Sequence, residues 1–376
     1  MRWILSLIAL MCLLPGCEEN GPNGPGGGNG DCPQEAFLTV SPVAFDNITD
    51  IVPLGNLNPP GHTFPTDHIY LGLLWQPGEE APDVTTLYAP GDLKVKSCRA
   101  FEHVNAGIID FRITFMPCND LRIELSHVSS LENSVFGDVS GLEGWTLENE
   151  YSTGGETYRM YRKDYNIDVT AGEILGTVGG NPGQGALDVG TYDYRVQDPV
   201  TANPSRWTAS SYLNAACPLD YFVEGPVKDQ LLSLVQREEI PGDEYPCGVV
   251  HQDEPGTALG CWFLFGVDDT YPEDPHLALV HSNTQPSRQV FSVGNAMASL
   301  SSGAYAFVPE TSGYLKRTFS DVTADGHIYG YPLGYPGGMI LIQMPSDSMI
   351  WIEWHAEVST DPGTWSFTEN KTIYVR

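Results

Sequence analysis

The feature that most constrains the fold is the length of the apolar runs. Ile69–Leu74, Leu93–Cys98, Gly107–Phe115, Leu121–Leu125 and Tyr158–Tyr161 are short, carry β-branched or aromatic residues, and are bounded by Gly, Pro, Asn or Asp. Short runs between turn formers predict strands. The pattern returns in Ala258–Phe265, Leu277–His281, Gln289–Val293, Ala304–Val308, Met339–Gln343, Ile350–Glu357 and Thr372–Val375. Between the two sets lies one good helical pattern, Pro226–Glu239, with Pro226 suited to a first turn and Val227, Leu231, Leu234 and Val235 on one side. The chain is therefore expected to be all-β and mainly antiparallel, with β-rich domains at 34–217 and 218–376 and one linking helix.

The N-terminus carries an address. Met1–Gly16 has Arg2 as its only charge, followed by the apolar run Trp3–Leu14. It reads as a signal peptide, too short to span a bilayer. Cys17, after Gly16, resembles the cysteine of a bacterial lipobox, although Pro15 departs from the usual small or aliphatic residue. The resemblance implies cleavage before Cys17 and acylation of its thiol, so that a lipid membrane is a partner. The alternative is an ordinary secretory signal. Residues 17–33 form a tether, in which Glu18–Asp31 has no apolar residue to bury. Glu18, rather than an aspartate, follows the cysteine, which favours the outer membrane or cell surface over the inner membrane.

Charge narrows the partners. The net charge is −30, with 48 Asp plus Glu against 18 Lys plus Arg. Neutralising phosphates needs clustered cations, so nucleic acid is not expected. No P-loop, dinucleotide fingerprint or serine nucleophile elbow is visible, so nucleotide chemistry and a serine triad have no support. Apart from Cys12 and Cys17, the cysteines are Cys32, Cys98, Cys118, Cys217, Cys247 and Cys261. In an exported chain these read as up to three disulfides. Cys98–Cys118 and Cys247–Cys261 are the expected pairs, because each flanks a plausible hairpin.

The densest chemistry lies in Leu54–Tyr70, LGNLNPPGHTFPTDHIY. Pro59, Pro60, Gly61 and Pro65 stiffen an irregular loop, while His62, Asp67 and His68 supply two imidazoles and a carboxylate, all ligands of divalent metals. A plainer reading has Asp67 capping a turn and one histidine packing on a strand end.

Further along, Leu87–Val95, LYAPGDLKV, resembles the "ApaDGkV" strand of lysostaphin-type zinc metallopeptidases, which cut peptidoglycan cross-links. Leu121–Leu131, LRIELSHVSSL, is similar to that family's "YaHLs" segment, and Val169–Gly180, VTAGEILGTVGG, to its "VkkGdvIGtvG" hairpin. Together they imply a lysostaphin-like β-sandwich or barrel over roughly residues 54–194. The resemblance implies zinc on His62, Asp67 and Asp188, with His68 as a substitute and His127 as proton donor or oxyanion contact. Two departures stand out. The first two ligands are five residues apart instead of four, and the late HxH reads Ala186, Leu187, Asp188. Without an imidazole at 186, the expectation is a cell-envelope module that binds peptidoglycan or an envelope peptide with weak or no proteolysis. An active zinc endopeptidase is the alternative.

The second domain shows no familiar chemistry. His251 and Asp253, beside the Pro255–Gly256 turn, are candidates for a second polar site. His276 and His281 read as independent surface histidines. Asp321, Asp325 and His327 read as turn chemistry, and Trp351, Trp354 and His355 as core and rim.

Overall fold

The structure, a computed structural model, describes residues 32–76, 78–139, 141–153, 155–195, 201–207, 210–238, 247–297 and 299–376. The signal peptide, Cys17 and the tether as far as residue 31 lie outside the described residues. Among the described residues no helix is long and apolar enough to cross a membrane.

The expected all-β, antiparallel architecture is what the chain adopts. The first sheet is built from β1 (Ile48–Val52), β2 (His68–Leu73), β3 (Thr85–Tyr88), β4 (Leu93–His103), β5 (Ile108–Cys118), β6 (Leu121–Leu131), β7 (Thr146–Thr153), β8 (Glu156–Val169), β9 (Ile174–Val178), β10 (Ala186–Asp193) and β11 (Ala215–Ala216). Its main order is β1-β2-β10-β6-β5-β4-β8-β7. The second is a nearly closed, barrel-like sheet of β12 (Gly260–Leu264), β13 (Leu277–His281), β14 (Gln289–Val293), β15 (Gly303–Phe307), β16 (Tyr329–Pro332), β17 (Met339–Ser346), β18 (Met349–His355) and β19 (Thr372–Val375).

Val169–Gly180 is not a hairpin. β8 pairs with β4 and β7, whereas β9 crosses to pair with β3 and β6. Gly176 permits this, because its Cα lies so close to the Ser130 carbonyl that a side chain would collide with backbone. The helix is also shorter than expected, Pro226–Ser233. Beyond it the backbone pairs with the sheet edge, the Ile51 amide donating to Leu234 O at 2.8 Å and the Gln236 amide to Ile51 O at 2.8 Å.

The two sheets share a wall. Phe263, Ala278 and Val280 belong to the core of the first sheet, while Trp262, Leu277 and Leu279 on the same two strands belong to the barrel's own core. Both faces of β12 and β13 are therefore buried, which explains why these runs are apolar at successive positions instead of alternating.

The disulfides correct the sequence expectation. They are Cys32–Cys118 and Cys217–Cys247, and Cys98 and Cys261 are buried thiols. Register is the reason. Cys98 sits opposite Ile113, five residues short of Cys118, about 17 Å along the strand and far outside bonding range. Cys261 faces Ala278 inside the sheet and cannot reach Cys247, whose sulfur is taken by Cys217. Non-reducing peptide mapping of a secreted form beginning at Asp31 should return these two bridges. Alkylation should reach Cys98 and Cys261 only after unfolding. A Cys98–Cys118 peptide would contradict the register.

Candidate functional site

The loop before β2 is pinned at its own neck. The Asn58 amide donates to His62 O at 2.9 Å, the His62 amide returns the bond to Asn58 O at 3.0 Å, and the Thr66 amide donates to Asn56 O at 3.0 Å. Chain direction then carries His68 into β2, where it faces Gly190 of β10, with Tyr70 opposite Asp188. Asp188 also lies opposite Ser126 of β6.

His127 arrives by a different device. Phe111 pairs with Val128 and Ile113 with Leu125, so Arg112 alone opposes Ser126 and His127, a β-bulge. His127 takes the left-handed conformation, φ 63°, which costs a non-glycine residue about 1 kcal/mol or more. The bulge re-aims its ring toward Asp188.

All five residues proposed from the sequence thus meet. His68 Nε2 lies 3.4 Å and His127 Nε2 3.2 Å from the same oxygen, Asp188 Oδ2. Each imidazole has a second carboxylate behind it: Asp67 Oδ1 is 2.9 Å from His68 Nδ1, and Asp110 Oδ2 is 2.6 Å from His127 Nδ1. His62 completes the group, its ring edge-on to His68 with centroids 5.9 Å apart.

The electrostatics follow from these placements. Burial and the neighbouring His68 press His62 down to about 4, so it is neutral at ordinary pH. Burial opposes charge on His68 and His127, but the Asp188 charge and the carboxylates on their other nitrogens outweigh it and raise both. Burial works to raise Asp188, and the charges of His127 and His68 hold it below the ordinary carboxylate range. Asp67 is likewise lowered: His68 overcomes the effect of burial there.

A pocket of about 160 Å³ opens beside this cluster, lined by His62, Asp67, His68 and Asp188. Arg112 also lines it; its Nε donates to Ser126 Oγ at 2.8 Å and its Nη1 lies 3.3 Å from Glu124 Oε2. Tyr212 and, from the second domain, Tyr271 and Glu273 line it as well. Among the described residues no group of three or more His, Cys, Asp or Glu is arranged to hold a metal ion. Two donors are nonetheless unspent. His68 Nε2 is too poorly aligned with Asp188 to form a hydrogen bond, and it and Asp188 Oδ1 are buried without a hydrogen-bond partner among the described residues.

Sequence reasoning missed Asp110, which also accepts from Gln184 Nε2 at 2.8 Å and lies 3.0 Å from His103 Nε2. The signal was present. The Asn105–Gly107 turn predicts a hairpin that puts residues 103, 108 and 110 on one face. Glu273 had no such signal, being 209 residues from the Phe64 amide it binds.

The second-domain candidates are not brought together as a site. The Asp253 carboxylate accepts from the amides of Cys261 at 2.7 Å and Ala202 at 2.9 Å, a structural use. The His251 ring packs edge-on to Tyr212 at 5.0 Å, and burial lowers it to about 4. His276 is not a surface residue either. It is fully buried, receives the Leu264 amide on Nδ1 at 3.1 Å, and stacks on Phe64 at 5.4 Å. Searched against protein families, curated proteins and solved structures, the chain matches none.

Proposed function

We propose that this chain is an exported, lipid-anchored protein of the bacterial envelope, held through Cys17 in the outer membrane or at the cell surface. Its first domain is a lysostaphin-like groove that holds a peptidoglycan fragment or envelope peptide around a divalent cation, with slow or no cleavage. The observation that carries this reading is the convergence of His68 and His127, from two separate strands, on one oxygen of Asp188.

Zinc fits the donor set in kind. His62 is neutral, and His68 has a carboxylate on its far nitrogen, as metal-bound imidazoles commonly do. The buried His68 Nε2 and Asp188 Oδ1 lack hydrogen-bond partners among the described residues. His62, His68 and Asp188 would hold the ion, the three-ligand pattern of sites that keep one position open, with Asp67 orienting His68. Zinc, when bound, supplies Lewis acidity that polarises a peptide carbonyl and activates water near neutral pH.

The chain's own residues set the rest. His127, fixed by Asp110, offers a proton at Nε2. Tyr212 and Tyr271 line the pocket beside it. Ala186 precedes Asp188 by two positions on the same face of β10 and offers neither proton nor hydrogen bond. Loss of one general acid–base group costs about 10²–10⁴ in rate, which favours holding over cutting. The Asp110–His127 pair is what favours the second reading, an active zinc endopeptidase.

Metal analysis of the purified chain, followed by a peptidoglycan release assay, tests both. One zinc per chain with binding of muropeptides and little release is expected. Rapid release abolished by His62→Ala would establish the enzyme instead, and absence of zinc would remove the metal site.

A further inference from the structure

The loop that carries His62 is fastened by the other domain. Glu273, in the segment between β12 and β13, is buried, and its Oε2 accepts from the Phe64 amide at 2.7 Å, with the Thr63 amide near enough to favour its charged form. One residue beyond that pair of amides the same loop returns to β2 through Pro65, and one residue before it stands His62 itself. The Phe64 side chain, 1% exposed, is enclosed by Trp207 at 5.3 Å, Phe263 at 5.4 Å and His276 at 5.4 Å between ring centroids. Phe263 and His276 come from the second domain, whereas Trp207 lies within the first, between β10 and β11. The Phe64 backbone and side chain, two residues beyond His62, are therefore held in part from outside the first domain.

Resting on the zinc reading above, we infer that the second domain acts as a clamp, with Glu273 the positioning residue that presents His62 to the cation through the Phe64 amide. This gives the barrel a function in the site without contact with the ion. A free loop would have to order its backbone on binding, at about 1–2 kcal/mol per residue fixed. The clamp meets that cost during folding. Burial pushes the Glu273 carboxyl up to about 8 against the pull of the two amides, so a neutral acceptor serves at this position. Glutamine, which presents a carbonyl oxygen at the same reach, should therefore substitute for it.

The test titrates zinc alone into the full chain by calorimetry, with hydrogen exchange of the loop amides as a second readout. Glu273→Ala is expected to weaken zinc by about 10–100-fold, the usual effect of losing an outer-shell partner, and to speed exchange at Thr63 and Phe64. Glu273→Gln should restore both to near the wild-type values. In His62→Ala, adding Glu273→Ala should cost little more, because the clamp acts only through His62. Should Glu273→Ala fail to fold, Glu273→Asp, which withdraws the oxygens by one methylene, carries the same comparison. Wild-type zinc affinity in the alanine or aspartate variant, or a glutamine variant as weak as alanine, would overturn the clamp alone. A wild-type chain that binds no zinc would overturn the site and the clamp with it.

Discussion

Asp188→Ala is expected to weaken zinc by at least about 100-fold, the largest effect of any single substitution in the groove. The carboxylate is the only anionic donor among His62, His68 and Asp188, and it is where elements distant in sequence meet. Outer-shell changes already cost about 10–100-fold, and removing a ligand from a three-ligand site goes beyond that. Calorimetric titration with zinc reads the loss directly. Undiminished affinity in the alanine variant would place the ion elsewhere.

The same substitution has a signature in pH. His68 and His127 are raised by Asp188, so their contribution to stability is fully present below their unfolded pKa of about 6.5 and is lost as pH rises through their folded values. Asp188 is lowered, so its contribution is present above its unfolded pKa of about 3.9 and is lost as pH falls. The wild type should therefore exceed Asp188→Ala in stability most at about pH 5–6. Urea midpoints across pH would show a gap that closes toward both extremes. Zinc competes with the proton on His68, so affinity should climb with pH and binding should release protons, visible as buffer-dependent heats.

Much of this site is legible in the sequence because ligand chemistry is confined to few residue types. His62, Asp67, His68, His127 and Asp188 can be named from their side chains and their order along the chain. Their division of labour is not legible, since it depends on which nitrogen of His68 faces Asp67 and which faces Asp188. Strands such as β2, β4 and β5 announced themselves, whereas β1, β10, β16, β7 and most of β8 did not. Only Val169 of β8 is buried, so its polar sequence has no apolar period to read. Cysteine pairing failed for a related reason. Nearness in sequence suggests a hairpin bridge, but cross-strand register decides which sulfurs meet, and Cys98 lies opposite Ile113. The His127 bulge and the Glu273 clamp are beyond local patterning altogether. One is a register shift between β5 and β6, and the other a contact between domains.

Asp110→Ala is expected to destabilise the fold by about 3–5 kcal/mol, the cost of removing one partner from a buried charged cluster. Asp110 is 2% exposed and lies against His103, His127 and Gln184 at 3.0, 2.6 and 2.8 Å. Burial works to raise its pKa, yet the His103 and His127 hydrogen bonds bring it from 3.8 to about 2. That depression alone corresponds to about 2.5 kcal/mol, and the alanine variant also strands the partners in a buried site. Because the folded pKa is the lower one, this stabilisation is present above about pH 4 and disappears as pH falls through 2. Denaturant melts at pH 7 and pH 3 should therefore show a large wild-type advantage that shrinks in acid. Asp110→Asn keeps the shape and one oxygen acceptor but turns a donor toward the other imidazole, so it should recover only part of the loss. Equal stability of Asp110→Ala and wild type at pH 7 would mean that the His127 bulge is held by backbone pairing alone. His127 would then be oriented from the Asp188 side alone.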